Sequence, residues 1–408
     1  MSYEKISLKK HKELAGKIGI ASKVKIKTVG DLAAYYTPGV AAVSKKIAEK
    51  PCRVWDYTMR GNTVAVVSDG SAVLGLGNIG PEAAHPVMAG KALLFKEFAD
   101  IDAFPICLAT QDSPKIIETC RYLAPSFGGI NLEDISAPRC FEIESALQDL
   151  GIPVMHDDQH GTAVVVLAGL INAVRLVNKK LEKCQIVING LGAAGTAVAL
   201  IINKYTSGRA NIRLVDSQGL VCARKNLGSV KGKICRILNS PAMKGGLKEA
   251  VKSADIFIGL SVPNVLTSEM VKSMSERAIV FALSNPIPEI DPRQARQAGA
   301  AIVATGRSDY PNQVNNVLAF PGIFRGALDA RATKITEKMK LAAAEALAET
   351  AGRPARRSPD CRSGSLGAGG FSPERILPSP LEKKVVRKIA AAVKSAAIGE
   401  GVVRPICR

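Results

Sequence analysis

The sequence predicts an α/β fold: a mixed N-terminal α/β domain followed by a doubly wound parallel sheet. Three observations carry that expectation. At 408 residues the chain is long enough for two or three domains of about 100–200 residues each. Hydrophobic residues make up 47% and aromatic residues 4%, so the cores must be aliphatic and alanine-rich, as layered α/β cores are. Beyond residue 184, short apolar strands alternate with helical stretches, which is the pattern of βαβ units.

Taken in order, the stretches 9–18 and 41–48 have helical character. Thr63–Ser68 (TVAVVS) reads as a buried strand ending in the turn Asp69-Gly70, and 103–109 and 152–155 as two more apolar strands. Residues 161–176, GTAVVVLAGLINAVRL, are too long and too apolar for a strand, and read as a buried helix despite their β-branched side chains. Gln185–Asn189 (QIVIN) is a strand leading through a glycine turn into a helix over 195–205. Further strands follow at 212–215, 256–260, 279–282 and 301–304. Residues 350–371 are rich in Gly, Arg, Ser and Pro with no hydrophobic period, and read as an exposed loop or linker. Helical pattern returns at 381–397. The domains are accordingly set at 1–160 and 161–349, with a linker over 350–371 and a C-terminal helical segment over 372–408.

Composition excludes several classes. No apolar run reaches the ~18–20 residues of a membrane span. The start, MSYEK, lacks the apolar stretch of a signal peptide, so a cytoplasmic protein with no membrane contact is expected. Nine cysteines at 52, 107, 120, 140, 184, 222, 235, 361 and 407 form no C-x-x-C pair, which argues against a zinc knuckle or redox motif. An odd, dispersed set suits reduced thiols, mostly small core residues. The net charge of +19 is uneven: residues 1–50 carry 11 basic and 4 acidic side chains, residues 51–160 carry 7 and 15, and the rest is basic again. Basic residues are not interleaved with aromatics, so a nucleic-acid partner is not expected. Attraction of anionic substrates, or a plain solvated surface, accounts for the basic excess. The acidic middle is the informative part.

Gly190-Leu191-Gly192-Ala193-Ala194-Gly195 is a G-x-G-x-x-G directly after a strand and opening a helix. The first glycine permits the tight turn, the second lets backbone approach a pyrophosphate, and the third packs helix on strand. The helix N-terminus offers free N–H groups to phosphates. Asp216 ends the next strand, where a carboxylate can accept from a ribose hydroxyl. Together they predict a Rossmann-like dinucleotide site, in preference to a purely structural βα turn. Asp216 leans towards NAD, while Arg224 and Lys225 just beyond leave NADP open. A second match, Gly75-Leu76-Gly77-Asn78-Ile79-Gly80, is followed by Pro81-Glu82, and a carboxylate at the helix start repels a pyrophosphate. It is read as a tight turn with chemistry nearby.

Two acidic pairs stand out, Glu133-Asp134 in GGINLEDISAP and Asp157-Asp158 in VMHDDQHGTA. Neighbouring carboxylates repel unless a cation lies among them, and hard oxygen ligands suit Mg²⁺ or Mn²⁺. The blander alternatives are a helix cap at Asp157 or Asp158 and an exposed acidic turn at Glu133-Asp134. Lys91, in PVMAGKALLF, is either a snorkelling surface lysine or, if buried beside a cation, a base with a lowered pKa. Tyr36, in AAYYTPGV, is either a packed ring or an acid. His156 and His160 flank the aspartates and are read as hydrogen-bonding residues instead of zinc ligands, because carboxylates dominate the cluster.

Tyr36-Thr-Pro-Gly-Val, Ser68-Asp-Gly, Gly75-Leu-Gly-Asn-Ile-Gly, Lys91, Asn131-Leu-Glu-Asp-Ile and His156-Asp-Asp-Gln-His-Gly-Thr-Ala together resemble the malic enzyme family. So do Ser284-Asn-Pro, Thr305-Gly-Arg-Ser and Asn315-Asn316 within NQVNNVLAFPGIFRGALD, in the family's order over about 20–345. The likeness is to the short bacterial type, without a fused acyltransferase-like domain. The resemblance implies a malic-type substrate domain before the nucleotide domain, and oxidation of L-malate by NAD or NADP with decarboxylation to pyruvate. By the same resemblance Glu133, Asp134 and Asp158 bind Mg²⁺ or Mn²⁺, Lys91 is the base with Asp157 in support, and Tyr36 is the acid. Asn285, Asn315 and Asn316 then hold substrate, Asn285 also touching cofactor, and the chain forms a homodimer or larger assembly with Tyr36 near the contact. Two departures accompany it. Ser71-Ala72 stands where some members carry a substrate-binding arginine, and residues 350–371 do not follow the family's acidic pattern, the likeness resuming near Ile376-Leu-Pro-Ser-Pro. A malolactic enzyme, an oxaloacetate decarboxylase on the same site, and an inactive binding protein of this fold are the alternatives.

Overall fold

The computed structural model describes residues 3–405, apart from 74, 223, 225, 226, 228, 239, 241, 242 and 352–370. The linker expected at 350–371 therefore lies almost wholly outside the described residues, as does Lys225. The chain builds two parallel sheets. The first holds β1 (Thr63–Ser68), β2 (Asp102–Cys107), β3 (Gly129–Leu132) and β4 (Val154–His156) in the order β2-β1-β3-β4. All its pairings are parallel, with Val64 opposite both Ala103 and Gly129. β1 is buried along its whole length, which explains a run of apolar residues with no polar alternation.

The second sheet holds β5 (Gln185–Asn189), β6 (Asn211–Asp216), β7 (Gly219–Leu220), β8 (Ile256–Gly259), β9 (Ile279–Ala282) and β10 (Ile302–Thr305). Its order is β10-β9-β8-β5-β6-β7, parallel throughout except for the short β7 return on β6. The chain winds outward from β5 to β6 and then reverses to β8. That reversal opens a crevice at the carboxyl ends of β5 and β8. The expected doubly wound sheet is present, with its strands at the expected places.

The apolar segment at 161–176 is helical as expected, but the helix begins earlier, at Asp157, and runs to Leu176. Asp157 and Asp158 form its first turn, where carboxylates meet the positive end of the helix dipole. This helix is long and apolar enough by composition to match a membrane span, yet most of it is buried inside the fold between the two sheets' layers. The N-terminal helix spans Tyr3–Leu14 and stops at Ala15-Gly16, both at positive φ, so it ends before the expected 18. No residue of the helices Tyr3–Leu14, Val29–Tyr35 and Val40–Glu49 is buried.

The last helix, Lys384–Gly399, packs on Phe320–Asp329 at close range. A Cβ on Gly322 would lie 2.7 Å from Ile389, and one on Gly326 would lie 2.8 Å from Val393. The expectation of reduced thiols throughout is corrected. Cys222 and Cys235 are joined in a disulfide with Cα atoms 5.5 Å apart, a separation such a bridge requires, and Cys52 is disulfide-bonded as well. Cys107, Cys120, Cys140 and Cys184 are free, the last three buried.

Candidate active site

Three loops leave the carboxyl edge of the first sheet side by side. β1 runs into Asp69-Gly70, β3 into Glu133-Asp134 and β4 into Asp157-Asp158. Parallel pairing brings these loop starts together although the sequence separates them widely. Glu133, Asp134 and Asp158 each offer a carboxylate oxygen, and these oxygens lie within 4.8 Å of one another. Asp134 has φ 53°, a left-handed conformation that Asp tolerates, and its N–H donates to Asp158 Oδ2 at 2.9 Å. Asn131 Nδ2 donates to Glu133 Oε2 at 2.8 Å, orienting that carboxylate.

Crowding of this kind is costly for anions. Burial first, and mutual repulsion second, push Asp134 up to about 9. Burial likewise raises Glu133 and Asp157 to about 7 and Asp158 to about 6, against the pull of Lys91. Asp134 Oδ2 and Asp157 Oδ1 are buried with no hydrogen-bond partner among the described residues. A set of buried, hard oxygen donors left partly unsatisfied fits a divalent cation such as Mg²⁺ or Mn²⁺.

Lys91 projects from the helix Gly80–Ala99 into this cluster and is buried. Its Nζ lies 2.6 Å from Asp157 Oδ2 and 2.8 Å from Glu133 Oε1, over the Phe320 ring at 4.2 Å from its centroid. The snorkelling alternative is thereby overturned. Burial lowers its pKa, but Asp157, Glu133 and Asp158 outweigh burial, and the net shift is upward. The lowered pKa expected of a lysine beside a cation concerns the metal-loaded site; beside the carboxylates alone the ammonium is held protonated. Phe320, at the head of a helix far along the chain, carries no sequence signal for this contact.

His160 accepts the hydrogen-bonding role expected of it: Nε2 sits 2.9 Å from Glu144 Oε2, and Glu144 Oε1 accepts the His156 N–H at 3.0 Å. Burial opposes the charge on Glu144, yet His160 and Lys340 hold its pKa down at about 2. Among the described residues the His156 ring nitrogens have no hydrogen-bond partner, Asp158 Oδ2 lying 3.7 Å from Nε2, and burial lowers this imidazole to about 4. Glu144 was not singled out in the sequence, since it lies in a plain helical stretch.

A cleft of about 840 Å³ connects this cluster to the second sheet. Asp134 and Asp158 line one side, and Gly192, Ala193, Ala194 and Gly195 the other, with Asn285, Asn315 and Asn316 between. Gly190 has φ 106°, and a Cβ on Gly195 would lie 1.8 Å from the Gly190 carbonyl oxygen, so only glycine fits. Asn315 uses its Oδ1 to accept the Val317 N–H at 2.9 Å. A Cβ on Gly161 would lie 1.8 Å from Asp157 Oδ1 and 3.1 Å from Asn316 Cβ, so glycine there lets both side chains approach. Gly75 and Gly77, from the first glycine turn, form part of the wall.

Two expected residues stand elsewhere. Asp216 does end β6, but its Oδ2 is held by Arg224 at 2.7 Å and Lys231 at 2.5 Å, and its Oδ1 accepts the Gln218 N–H. Burial would raise its pKa, but these hydrogen bonds lower it. Both its oxygens are thus already engaged within the chain, and the partner Lys231, 15 residues further on, carried no sequence signal. Tyr36 stands on the exposed N-terminal limb, 64% accessible, and is not among the residues lining the cleft.

Comparison with known proteins agrees with this architecture. Residues 159–358 match the malic enzyme NAD-binding domain, and residues 15–115 match the malic enzyme N-terminal domain. The chain is 50% identical over 407 residues to the bifunctional malic/malolactic enzyme of Bacillus subtilis, covering 99% of this chain and 95% of that one. It is 46% identical over 394 residues to the NADP-dependent malic enzyme of Escherichia coli, covering 96% of this chain and 52% of the longer relative. The crystal structure of the NAD-dependent malic enzyme of Thermotoga maritima superposes with a TM-score of 0.87 at 49% identity, covering 95% of this chain and 98% of that one. Identity at this level over nearly the whole chain, with both family domains matched, shows that this chain belongs to the malic enzyme family.

Proposed function

We propose that this chain oxidises L-malate with NAD or NADP and decarboxylates the product to pyruvate and CO₂, using Mg²⁺ or Mn²⁺. The observation that carries the proposal is the buried Glu133–Asp134–Asp158 oxygen set with Lys91 beside it, two of whose members, Asp134 and Asp158, line one cleft with the dinucleotide turn. In this reading residues 1–160 bind substrate and metal, and 161–349 bind the dinucleotide. Glu133, Asp134 and Asp158 would hold a divalent cation, which would supply Lewis acidity toward the substrate and offset the carboxylate charge that otherwise keeps Lys91 protonated.

Lys91, once neutral, would take the malate hydroxyl proton, and a bound nicotinamide would supply the hydride acceptor. Asp157, 2.6 Å from Nζ, orients the amine and stabilises the ammonium that forms. Loss of CO₂ then leaves an enolate that needs a proton at C3, which balances the one taken by Lys91. Tyr36 supplies it. Because Tyr36 is exposed on a limb with no buried residue, it serves the cleft of a second copy, in a homodimer or larger assembly in the cytoplasm. Asn285 and Asn316 orient the substrate carboxylate and nearby cofactor atoms, with Asn315 holding the turn between them.

The test is formation of reduced cofactor by the purified protein with L-malate and Mn²⁺, offered NAD and NADP separately, with pyruvate assayed in parallel. Stoichiometric pyruvate that disappears on addition of EDTA is the expected result. Chelator-insensitive activity would sink the metal assignment. A second reading, conversion of malate to lactate on the same site, is favoured by the malic/malolactic name of the Bacillus subtilis relative. Lactate without net reduced cofactor would establish that reading instead.

A further inference from the structure

Away from the acidic cluster, one side chain ties two walls of the cleft together. Glu289 is fully buried. Its Oε1 accepts the backbone N–H of Ser261 at 3.0 Å, and its Oε2 accepts that of Ser284 at 3.0 Å. Ser261 stands just past β8 and Ser284 just past β9, so the carboxylate bridges two parallel strands where their own ladder has ended. Its carbonyl oxygen also accepts the Leu266 N–H at 2.9 Å. Both tethered segments line the cleft, through Leu260 and Val262 on one side and Leu283 and Asn285 on the other.

The tether continues into the dinucleotide turn. Asn189 Nδ2 donates to Ser261 Oγ at 2.8 Å, and a Cβ on Gly190 would lie 2.3 Å from the Leu260 carbonyl oxygen. A contiguous path therefore runs from the glycine turn through Ser261 and Glu289 to Asn285. Burial raises the Glu289 pKa, and backbone N–H groups, those of Ser261 and Ser284 foremost, hold its charge. A buried carboxylate held mainly by peptide N–H groups is costly to keep. It does one thing that a neutral isostere cannot, which is to accept two N–H groups at a fixed span. Gly259 leaves room for it, since a Cβ there would lie 2.4 Å from Glu289 Cδ.

We propose that Glu289 is a positioning residue: by holding the Ser261 and Ser284 amides on one carboxylate, it sets the width of the crevice between Leu260–Ser261 and Ser284–Asn285. That crevice takes the nicotinamide end of the dinucleotide and presents Asn285, so the inference rests on the cofactor reading given above.

Glu289→Gln tests it, because the isosteric amide turns one acceptor oxygen into an NH₂ that faces a backbone N–H. Dissociation constants for NAD and NADP are measured by fluorescence without turnover, alongside kcat, KM for malate, Mn²⁺ affinity and the thermal midpoint. Glu289→Gln is expected to melt cooperatively, a few degrees below the parent, and, assayed well below that midpoint, to bind Mn²⁺ equally well. Its cofactor dissociation constant is expected to rise about tenfold, the size of one lost charge-assisted buried hydrogen bond. Equal cofactor affinity and kcat in parent and variant overturn the proposal. Where Gln does not fold, the same titrations on Glu289→Asp, too short to reach both amides, decide it. If both variants fail to fold, Glu289 is a stability residue and the positioning role is likewise overturned. A parent that binds cofactor but yields no reduced cofactor from malate would sink the reading of function and leave the Glu289 result standing.

Discussion

Two glycine turns share the spelling G-x-G-x-x-G, one at 75–80 and one at 190–195, and they do different work. Each follows the first strand of a parallel sheet, close to where that sheet reverses its winding. The second passes straight from strand to helix: β5 ends at Asn189, and the helix Ala193–Tyr205 opens three residues after Gly190. The first lies beyond an intervening loop, folds on itself through a Val73–Gly77 bridge, and opens a helix whose first turn carries Glu82. Gly75, Gly77 and Gly80 have φ of 75°, 76° and 79°, so all three are left-handed, whereas Gly192 has φ −78° and an extended ψ. A phosphate cradle needs free N–H groups aimed outward at a helix start without a carboxylate. The 190–195 turn meets that need. The 75–80 turn instead walls the cleft and leads into the helix that carries Lys91 about three turns on.

The comparison predicts that damage on the first sheet's side alters chemistry and spares cofactor binding, while damage at 190–195 does the reverse. The largest effect is expected from Lys91→Ala. Removing a proton-transfer group lowers kcat by about 10²–10⁴. The cofactor dissociation constant should stay within about twofold, because the partners of Lys91, which are Asp157, Glu133 and the Phe320 ring, lie outside the glycine turn. Comparable loss of cofactor affinity would mean that Lys91 holds the fold together, and the division of labour would collapse.

Asp158→Asn should come next. It takes the charge from one of the three proposed ligand carboxylates and from the group that accepts the Asp134 N–H. Calorimetric titration with Mn²⁺ should show affinity weakened by roughly 10–100-fold or more, the range already seen for residues that merely orient ligands. Unchanged affinity would remove Asp158 from the ligand set.

Gly192→Ala sharpens the other half. Nothing lies within 4 Å of a Cβ at this position, and its φ is ordinary, so the folded protein itself accepts alanine. A loss of cofactor affinity, on the order of tenfold or more, would then report a close approach by the pyrophosphate and nothing else. Retained affinity with an unchanged melting temperature would move the dinucleotide off this turn.

How much of this was legible beforehand follows from what a single sequence can encode. Gly190, Gly192 and Gly195 were readable because their requirement is local, a turn between adjacent elements. The acidic pairs were visible as pairs, but their convergence is a product of parallel pairing between β1, β3 and β4, which no local pattern states. The position of Phe320 under Lys91 depends on the packing of Phe320–Asp329 between the helix Gly80–Ala99 and the last helix, so it could not be read from either segment. The upward shift of Lys91 had the same origin, because its sign depends on how many carboxylates the fold collects around it. Asp216 was placed correctly at the end of its strand, while its engagement by Lys231 came from a helix 15 residues away. Tyr36 is the opposite case: its motif was readable, and its distance from the cleft within one chain was not.

The smallest effect should come from Gly77→Ala, and it probes the comparison most directly. Gly77 occupies the same place in its motif as Gly192 does in the other. A Cβ on it meets nothing within 4 Å, just as at Gly192, so sterics with neighbours do not separate the two. Backbone conformation does. At φ 76° an alanine must adopt the left-handed region, at a cost of about 1–2 kcal/mol. Thermal denaturation should therefore show Gly77→Ala modestly destabilised, with cofactor affinity equal to that of the parent. Gly192→Ala should show the converse pattern, stable and weak in cofactor. If Gly77→Ala were to weaken the dinucleotide as strongly as Gly192→Ala, the 75–80 turn would reach the cofactor after all, and the carboxylate of Glu82 at its helix start would have to be offset by a cation.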